Sequence, residues 1–297
     1  MQNRIIVLGL LRSGTSLAAE LVHRWGAYAG QERDLVTTDM NDPRGYYYME
    51  HLALQKFNDE LLNDNDRVPP PADLLAERSM DPAYLERASE LIQMMDEQAD
   101  KDQAIAWVWK DARLPLLLPF WANIWGDVTY LVTVRHPAES ALSLAKTEEF
   151  SSENLPFSAG FAYWQYCMLN VLVFTQNSRR KIFIAYDQLL RHPRQECTRL
   201  CSFLDVQSGR SPAGADQRIE AMVPQIAEDQ QHYRHPKSLA EMKQTTREQR
   251  ALYNFLRVKT LYPDESFNPD DFALYPGWLE YLQCMDMLLN VMQTSET

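Results

Sequence analysis

Apolar residues along the chain follow two rhythms. Short, largely apolar and β-branched runs occur at Ile5-Ile6-Val7-Leu8, Ala104–Trp109, Val128–Val134 and Lys181–Tyr186. Runs of that length predict strands buried on both faces. Between them apolar residues recur at helical spacing: Leu17, Ala18, Leu21, Val22 and Trp25, then Leu52, Leu54, Phe57, Leu61 and Leu62, then Tyr84, Leu85, Leu91, Ile92 and Met95 within 82–99. Further helices are predicted over Leu114–Trp125, where Pro115 suits a first turn, from Pro137 onward, over 158–176, and over Pro193–Leu204. Gln165 and Asn170 interrupt the apolar 158–176 stretch, which reads as a core helix and not a membrane span.

The joints are equally readable. Ala27–Gly30 predicts a short second strand, Asn41-Asp42-Pro43-Arg44-Gly45 a turn, and Pro69-Pro70-Pro71 a loop. Beyond residue 207 the pattern weakens: Gly209–Gly214 reads as a loop, 216–231 and 238–259 as helical, and 263–277 as a loop before a last helix. Strand and helix alternate in order. That predicts an α/β fold, a three-layer parallel sheet with helices on both faces. One domain is expected over 1–297, with a core at 4–206 and a mostly helical C-terminal extension at 207–297.

Composition narrows the function classes. With 297 residues, 45% of them hydrophobic, the chain can bury a substantial core. A net charge of −12 argues against nucleic acid or an anionic membrane as the main partner. Cys167, Cys197, Cys201 and Cys284 lie at no disulfide or metal-ligand spacing, so buried thiols in a cytoplasmic protein are expected, with no metal. The fold is expected to begin at residue 4, leaving no room for a signal peptide.

Candidate chemistry gathers where strands end. Gly9-x4-Gly14 follows the first strand and leads into a helix at Thr15 and Ser16, a P-loop-like arrangement that places free amides and a helix dipole at an anion. The position of the Walker lysine is Thr15, which weakens an ATP reading, whereas Arg12 offers a permanently charged fork. An ordinary strand-to-helix turn with a surface arginine is the plainer alternative. Lys110, Arg135 and Tyr186 sit at the ends of three other strands, and parallel sheets gather ligand groups there. Arg135 could instead pair with a nearby carboxylate, and Tyr186 could be a buried aromatic.

At these residues the chain resembles the sulfotransferases that use 3′-phosphoadenosine-5′-phosphosulfate (PAPS), in particular the bacterial and tyrosylprotein-type branch. Four pieces carry the resemblance: Arg12-Ser13-Gly14-Thr15-Ser16; Lys110-Asp111-x-Arg113, with Ala112 in place of the family's proline; Arg135 with Ser143 eight residues on; and Tyr186-Asp187-Gln188-Leu189-Leu190 with His192-Pro193. The resemblance implies a loop holding the 5′-phosphosulfate, Arg135 and Ser143 holding the 3′-phosphate, and Tyr186 on the adenine side. It implies a product, 3′,5′-ADP, and a hydroxyl-bearing acceptor, whether carbohydrate, lipid, polyketide or other small molecule.

Sulfuryl transfer needs positioned cations and a base. Arg12 is expected to stabilise the leaving group, with Lys110 on the bridging or equatorial oxygens. Glu32 lies 20 residues after Arg12, which resembles the spacing of the catalytic glutamate in the tyrosylprotein-type enzymes, and is placed ahead of Glu50 as the base; Glu50 follows a segment similar to the bacterial members' Asn-Pro-x-Gly-Tyr-x-Glu element, with extra residues inserted. His51 is a third candidate. Either glutamate could be merely solvated or placed at a helix start. Tyr46-Tyr47-Tyr48, Trp164 and the region after residue 207 are expected to wall the acceptor cleft. A P-loop kinase or other nucleotide-dependent enzyme and a non-catalytic nucleotide-binding scaffold are the competing classes.

Overall fold

The computed structural model describes residues 3–37, 47–62, 72–144, 157–226, 239–243 and 245–261. Its strands are β1 (Asn3–Leu8), β2 (Leu35–Thr37), β3 (Tyr47–His51), β4 (Ala106–Lys110), β5 (Thr129–Val134) and β6 (Lys181–Ala185). Its helices are α1 (Thr15–Trp25), α2 (Leu52–Leu61), α3 (Ala72–Met80), α4 (Pro82–Lys101), α5 (Leu114–Trp121), α6 (Pro137–Leu144), α7 (Phe157–Phe174), α8 (Tyr186–Arg191), α9 (Pro193–Ser208), α10 (Ala215–Met222) and α11 (Arg247–Leu261). The turn at 41–45, the triple proline, the stretch 227–238 and everything past 261, including Cys284, lie outside the described residues.

Four parallel strands form the central sheet in the order β4-β1-β5-β6. Strand alternation makes the layers. Ile6, Leu8, Trp107, Trp109, Tyr130, Val132, Val134 and Phe183 face one core, packed with residues of α2, α4, α5 and α7. Ile5, Val7, Ala106, Val108, Leu131, Ile182 and Ile184 face the other, against α1, α9 and α10. The first core is rich in rings: Trp109 meets Trp121 edge-on at 4.7 Å, and Phe57 meets Trp121 at 5.5 Å. Burying each such side chain is worth about 1.5–3 kcal/mol.

Several elements differ from the sequence expectation. Of Ala27–Gly30, Tyr28 makes an isolated parallel bridge to Trp107, donating to the Ala106 carbonyl at 2.8 Å and accepting from the Val108 amide at 2.8 Å. Glu50 does not open a helix. It belongs to β3, which pairs antiparallel with β2 in a ribbon of three and five residues, too short for periodicity to declare itself. Tyr186 is not the last residue of a strand but the first of α8. The helix expected over 216–231 stops as α10 at Met222, because Pro224 cannot continue it. The one expected over 238–259 is a 3-10 turn, Leu239–Glu241, followed by α11.

Candidate active site

Register brings the strand ends together. Val7 pairs with Lys110, Leu8 with Val132, and Val134 with Ala185. The loop after β1, Lys110 at the end of β4, Arg135 after β5 and Tyr186 after β6 therefore share one edge of the sheet.

The loop is shaped by two glycines and a strained arginine. Gly9 has φ 154° and lies against β5, where a Cβ would come within 2.1 Å of Thr133 Oγ1. Gly14 has φ 92°, and a Cβ there would come within 2.4 Å of the Tyr186 ring. Arg12 is exposed and takes a left-handed φ of 67°, a conformation that costs a non-glycine residue free energy. Ser13 is turned inward. Its amide donates to the Leu10 carbonyl at 3.0 Å, its hydroxyl donates to the same oxygen at 2.5 Å, and its Oγ lies 2.7 Å from Thr133 Oγ1. Gly14, the residue before α1, offers no capping side chain, so the first amides of the helix, at Thr15 and Ser16, have no side-chain cap from it.

Arg135 ties this loop to β5. Its Nη1 donates to the Arg12 carbonyl at 2.8 Å, its Nε donates to Glu139 Oε2 at 3.2 Å, and its guanidinium lies 4.7 Å over the Tyr186 ring. One tyrosine thus touches both Gly14 and Arg135. Burial raises the Tyr186 phenol pKa against the pull of Arg135 and Arg12, so the ring is neutral at ordinary pH.

Lys110 and Glu50 form the third part. Lys110 is 2% exposed and Glu50 9%, and the Nζ of one donates to Oε1 of the other. Burial raises the pKa of Glu50, Lys110 opposes that shift, and Asp111 adds to it. Asp111 is held by four donors: Asn58 Nδ2 at 2.8 Å, and the Arg113 amide, Nε and Nη2 at 2.9, 3.0 and 2.8 Å. The bond to the Arg113 amide is an Asx turn, which fixes the bend of the chain between β4 and α5. Arg113 also reaches Asp59 and the Gln55 carbonyl, and Trp121 Nε1 donates to Asn58 Oδ1 at 2.9 Å. Burial works against ionised Asp111, but its partners outweigh it and the carboxyl pKa falls below the usual range.

The remaining candidates stand apart. Glu32 is exposed at the start of a 3-10 turn, Glu32–Asp34, before β2. His51 is buried, which lowers its pKa. Trp164 is 2% exposed and lies in the core beside Tyr253, not on an open wall. Ser143 falls in the last turn of α6; Tyr47 and Tyr48 fall in β3. Cys167, Cys197 and Cys201 are buried and free, and burial pushes the Cys197 thiol up to about 12. Sequence reasoning passed over Asn58, Asp59, Thr133 and Glu139. Of these Glu139 alone carried a signal, its spacing four residues from Arg135. Among the described residues no group of His, Cys, Asp or Glu could hold a metal ion, and no helix is long and apolar enough to cross a membrane.

A protein-family model described as "Sulfotransferase family" matches residues 4–209. Solved structures similar to the chain include the sulfotransferase domain from the curacin biosynthetic pathway, at 17% identity and a TM-score of 0.48, covering 86% of this chain and 98% of that one. The sulfotransferase domain from the Synechococcus PCC 7002 olefin synthase is 18% identical with a TM-score of 0.47, over 86% and 88%. Sulfotransferase STF9 from Mycobacterium avium is 15% identical with a TM-score of 0.43, over 90% and 78%. No curated protein matches the chain.

Proposed function

Because the chain belongs to the sulfotransferase family, we propose that it passes the sulfuryl group of PAPS to a hydroxyl of a carbohydrate, lipid, polyketide or other small acceptor. The observation that carries this reading is the shared sheet edge, where an uncapped helix start, Arg12, Arg135 and the buried Lys110–Glu50 pair come together. Those residues fit such a donor. The Thr15 and Ser16 amides with Arg12 suit the 5′-phosphosulfate, Arg135 suits the 3′-phosphate, with Ser143 added by the resemblance alone, and Tyr186 suits the adenine side. PAPS, when bound, supplies an activated sulfuryl group and a bisphosphate leaving group.

In this reading Arg12 stabilises charge developing on the leaving oxygen, and the bonds between Thr133 and Ser13 and from Arg135 to the Arg12 carbonyl set the loop's position in advance. Lys110 exchanges its bond to Glu50 for one to the sulfuryl oxygens. Glu50, so released, takes the proton of the acceptor hydroxyl. Burial beside a lysine and a raised pKa favour Glu50 as the base over exposed Glu32.

Calorimetry with 3′,5′-ADP and with ATP, each with EDTA or magnesium, tests the donor. Metal-independent binding of 3′,5′-ADP in preference to ATP is expected. Magnesium-dependent preference for ATP overturns the reading in favour of a kinase-like enzyme. Tight binding of 3′,5′-ADP with no transfer from labelled PAPS across a hydroxyl panel would instead mark a non-catalytic scaffold.

A further inference from the structure

We propose that Glu139 is a built-in counter-ion for Arg135 that a 3′-phosphate has to displace, so that this carboxylate sets how the site grades nucleotides by their 3′ group. The inference rests on the donor reading given above.

Glu139 accepts from Arg135 Nε at 3.2 Å, and both residues are 8% exposed. It stands in the first turn of α6, where the helix dipole favours negative charge, and its own amide is already bonded to the His136 carbonyl at 2.9 Å. An incoming phosphate needs the same guanidinium. It therefore arrives against a carboxylate already bonded there, and part of its binding free energy goes into parting that pair.

Arg135 has two anchors besides Glu139. The Arg12 carbonyl holds its Nη1 at 2.8 Å and the Tyr186 ring supports its plane at 4.7 Å. Removing the carboxylate charge should leave the guanidinium in place with its charge less compensated. A ligand with no 3′-phosphate leaves the Arg135–Glu139 pair intact and is indifferent to the change.

The test compares wild type, E139Q and E139D by calorimetry with 3′,5′-ADP and 5′-AMP. E139Q is expected to bind 3′,5′-ADP about tenfold more tightly, the effect of removing one close like charge from a largely buried anion site. Binding of 5′-AMP should stay within about twofold, and E139D should bind both nucleotides like wild type. A carboxylate that only orders Arg135 predicts the reverse, with 3′,5′-ADP bound more weakly by E139Q. Equal or weaker binding overturns the proposal. E139A gives the same comparison where E139Q does not fold, and misfolding of both overturns it too, because Glu139 would then be a structural acid. Wild type that makes no distinction between 3′,5′-ADP and 5′-AMP defeats the donor reading itself, an outcome separate from any change on substitution.

Discussion

Lys110 and Glu50 are two opposite charges withdrawn from water, and each is tolerable there because the other is present. Removing Lys110 leaves the Glu50 carboxyl buried without that donor. K110A should lose about 3–5 kcal/mol of unfolding free energy, measured by urea denaturation, whereas adding E50Q to K110A should restore part of it. A double variant no more stable than K110A would show that the pair is not coupled. In the proposed reaction the same burial sets the pH response. A base works when deprotonated, and Glu50 is shifted up, so kcat/KM should climb with pH through a value above the ordinary glutamate pKa of about 4.3. E50Q should abolish that limb and lower transfer by about 10²-fold or more while leaving 3′,5′-ADP binding intact; E32Q should keep both. The opposite result would return the base to Glu32. Sequence alone shows both glutamates and cannot rank them by environment. What separates them is a ribbon of eight residues that turns Glu50 inward and leaves Glu32 in solvent.

At the scale of elements, the turn between β4 and α5 and the inner face of α2 form one clamp. Asn58 lies on α2, Asp111 and Arg113 lie in the turn, and Trp121 lies on α5. Glu50 stands two residues before α2 and Lys110 one residue before Asp111, so the clamp also fixes the spacing of the buried pair. Asp111 has a depressed pKa in the folded protein. Its stabilisation is fully present above the unfolded aspartate value of about 3.9 and is lost as pH falls through the lower folded value. D111N should therefore be less stable near pH 7, and its urea midpoint should fall less steeply than wild type as pH drops below about 4. Parallel curves for the two proteins would mean that Asp111 is not the titrating group. β4 was legible because an uninterrupted apolar run leads up to Lys110, whereas β3, with its polar Glu50 and His51, was not. The clamp was not, since Asn58 and Asp59 are polar residues on a helix whose apolar neighbours alone produce a pattern; only the fold shows that they face the turn.

Across the whole molecule, the parallel sheet sets loop and arginine side by side, and the loop's shape depends on both. The ends of the apolar runs put Arg12, Lys110, Arg135 and Tyr186 at or just past strand ends, whereas the order β4-β1-β5-β6 that brings them to one edge is visible only in the folded sheet. The sequence did not reveal that Arg135 donates to the Arg12 backbone, a contact between residues far apart in the chain. That contact alters what a substitution at Arg135 should do. Were Arg135 only a phosphate ligand, R135A would weaken 3′,5′-ADP by about 2–3 kcal/mol and spare 5′-AMP. Since its Nη1 also steadies Arg12 in a left-handed conformation, R135A should weaken 5′-AMP as well, by about 0.5–1.5 kcal/mol, the usual worth of one hydrogen bond. R135K keeps the charge without the planar fork, and cannot hold the Arg12 carbonyl and a phosphate in the same geometry. It should recover part of the 3′,5′-ADP affinity and little of the loss to 5′-AMP. Calorimetry on the three proteins with the two nucleotides reads this directly. If 5′-AMP binds all three alike, the loop keeps its shape without Arg135 and the two anion sites act independently.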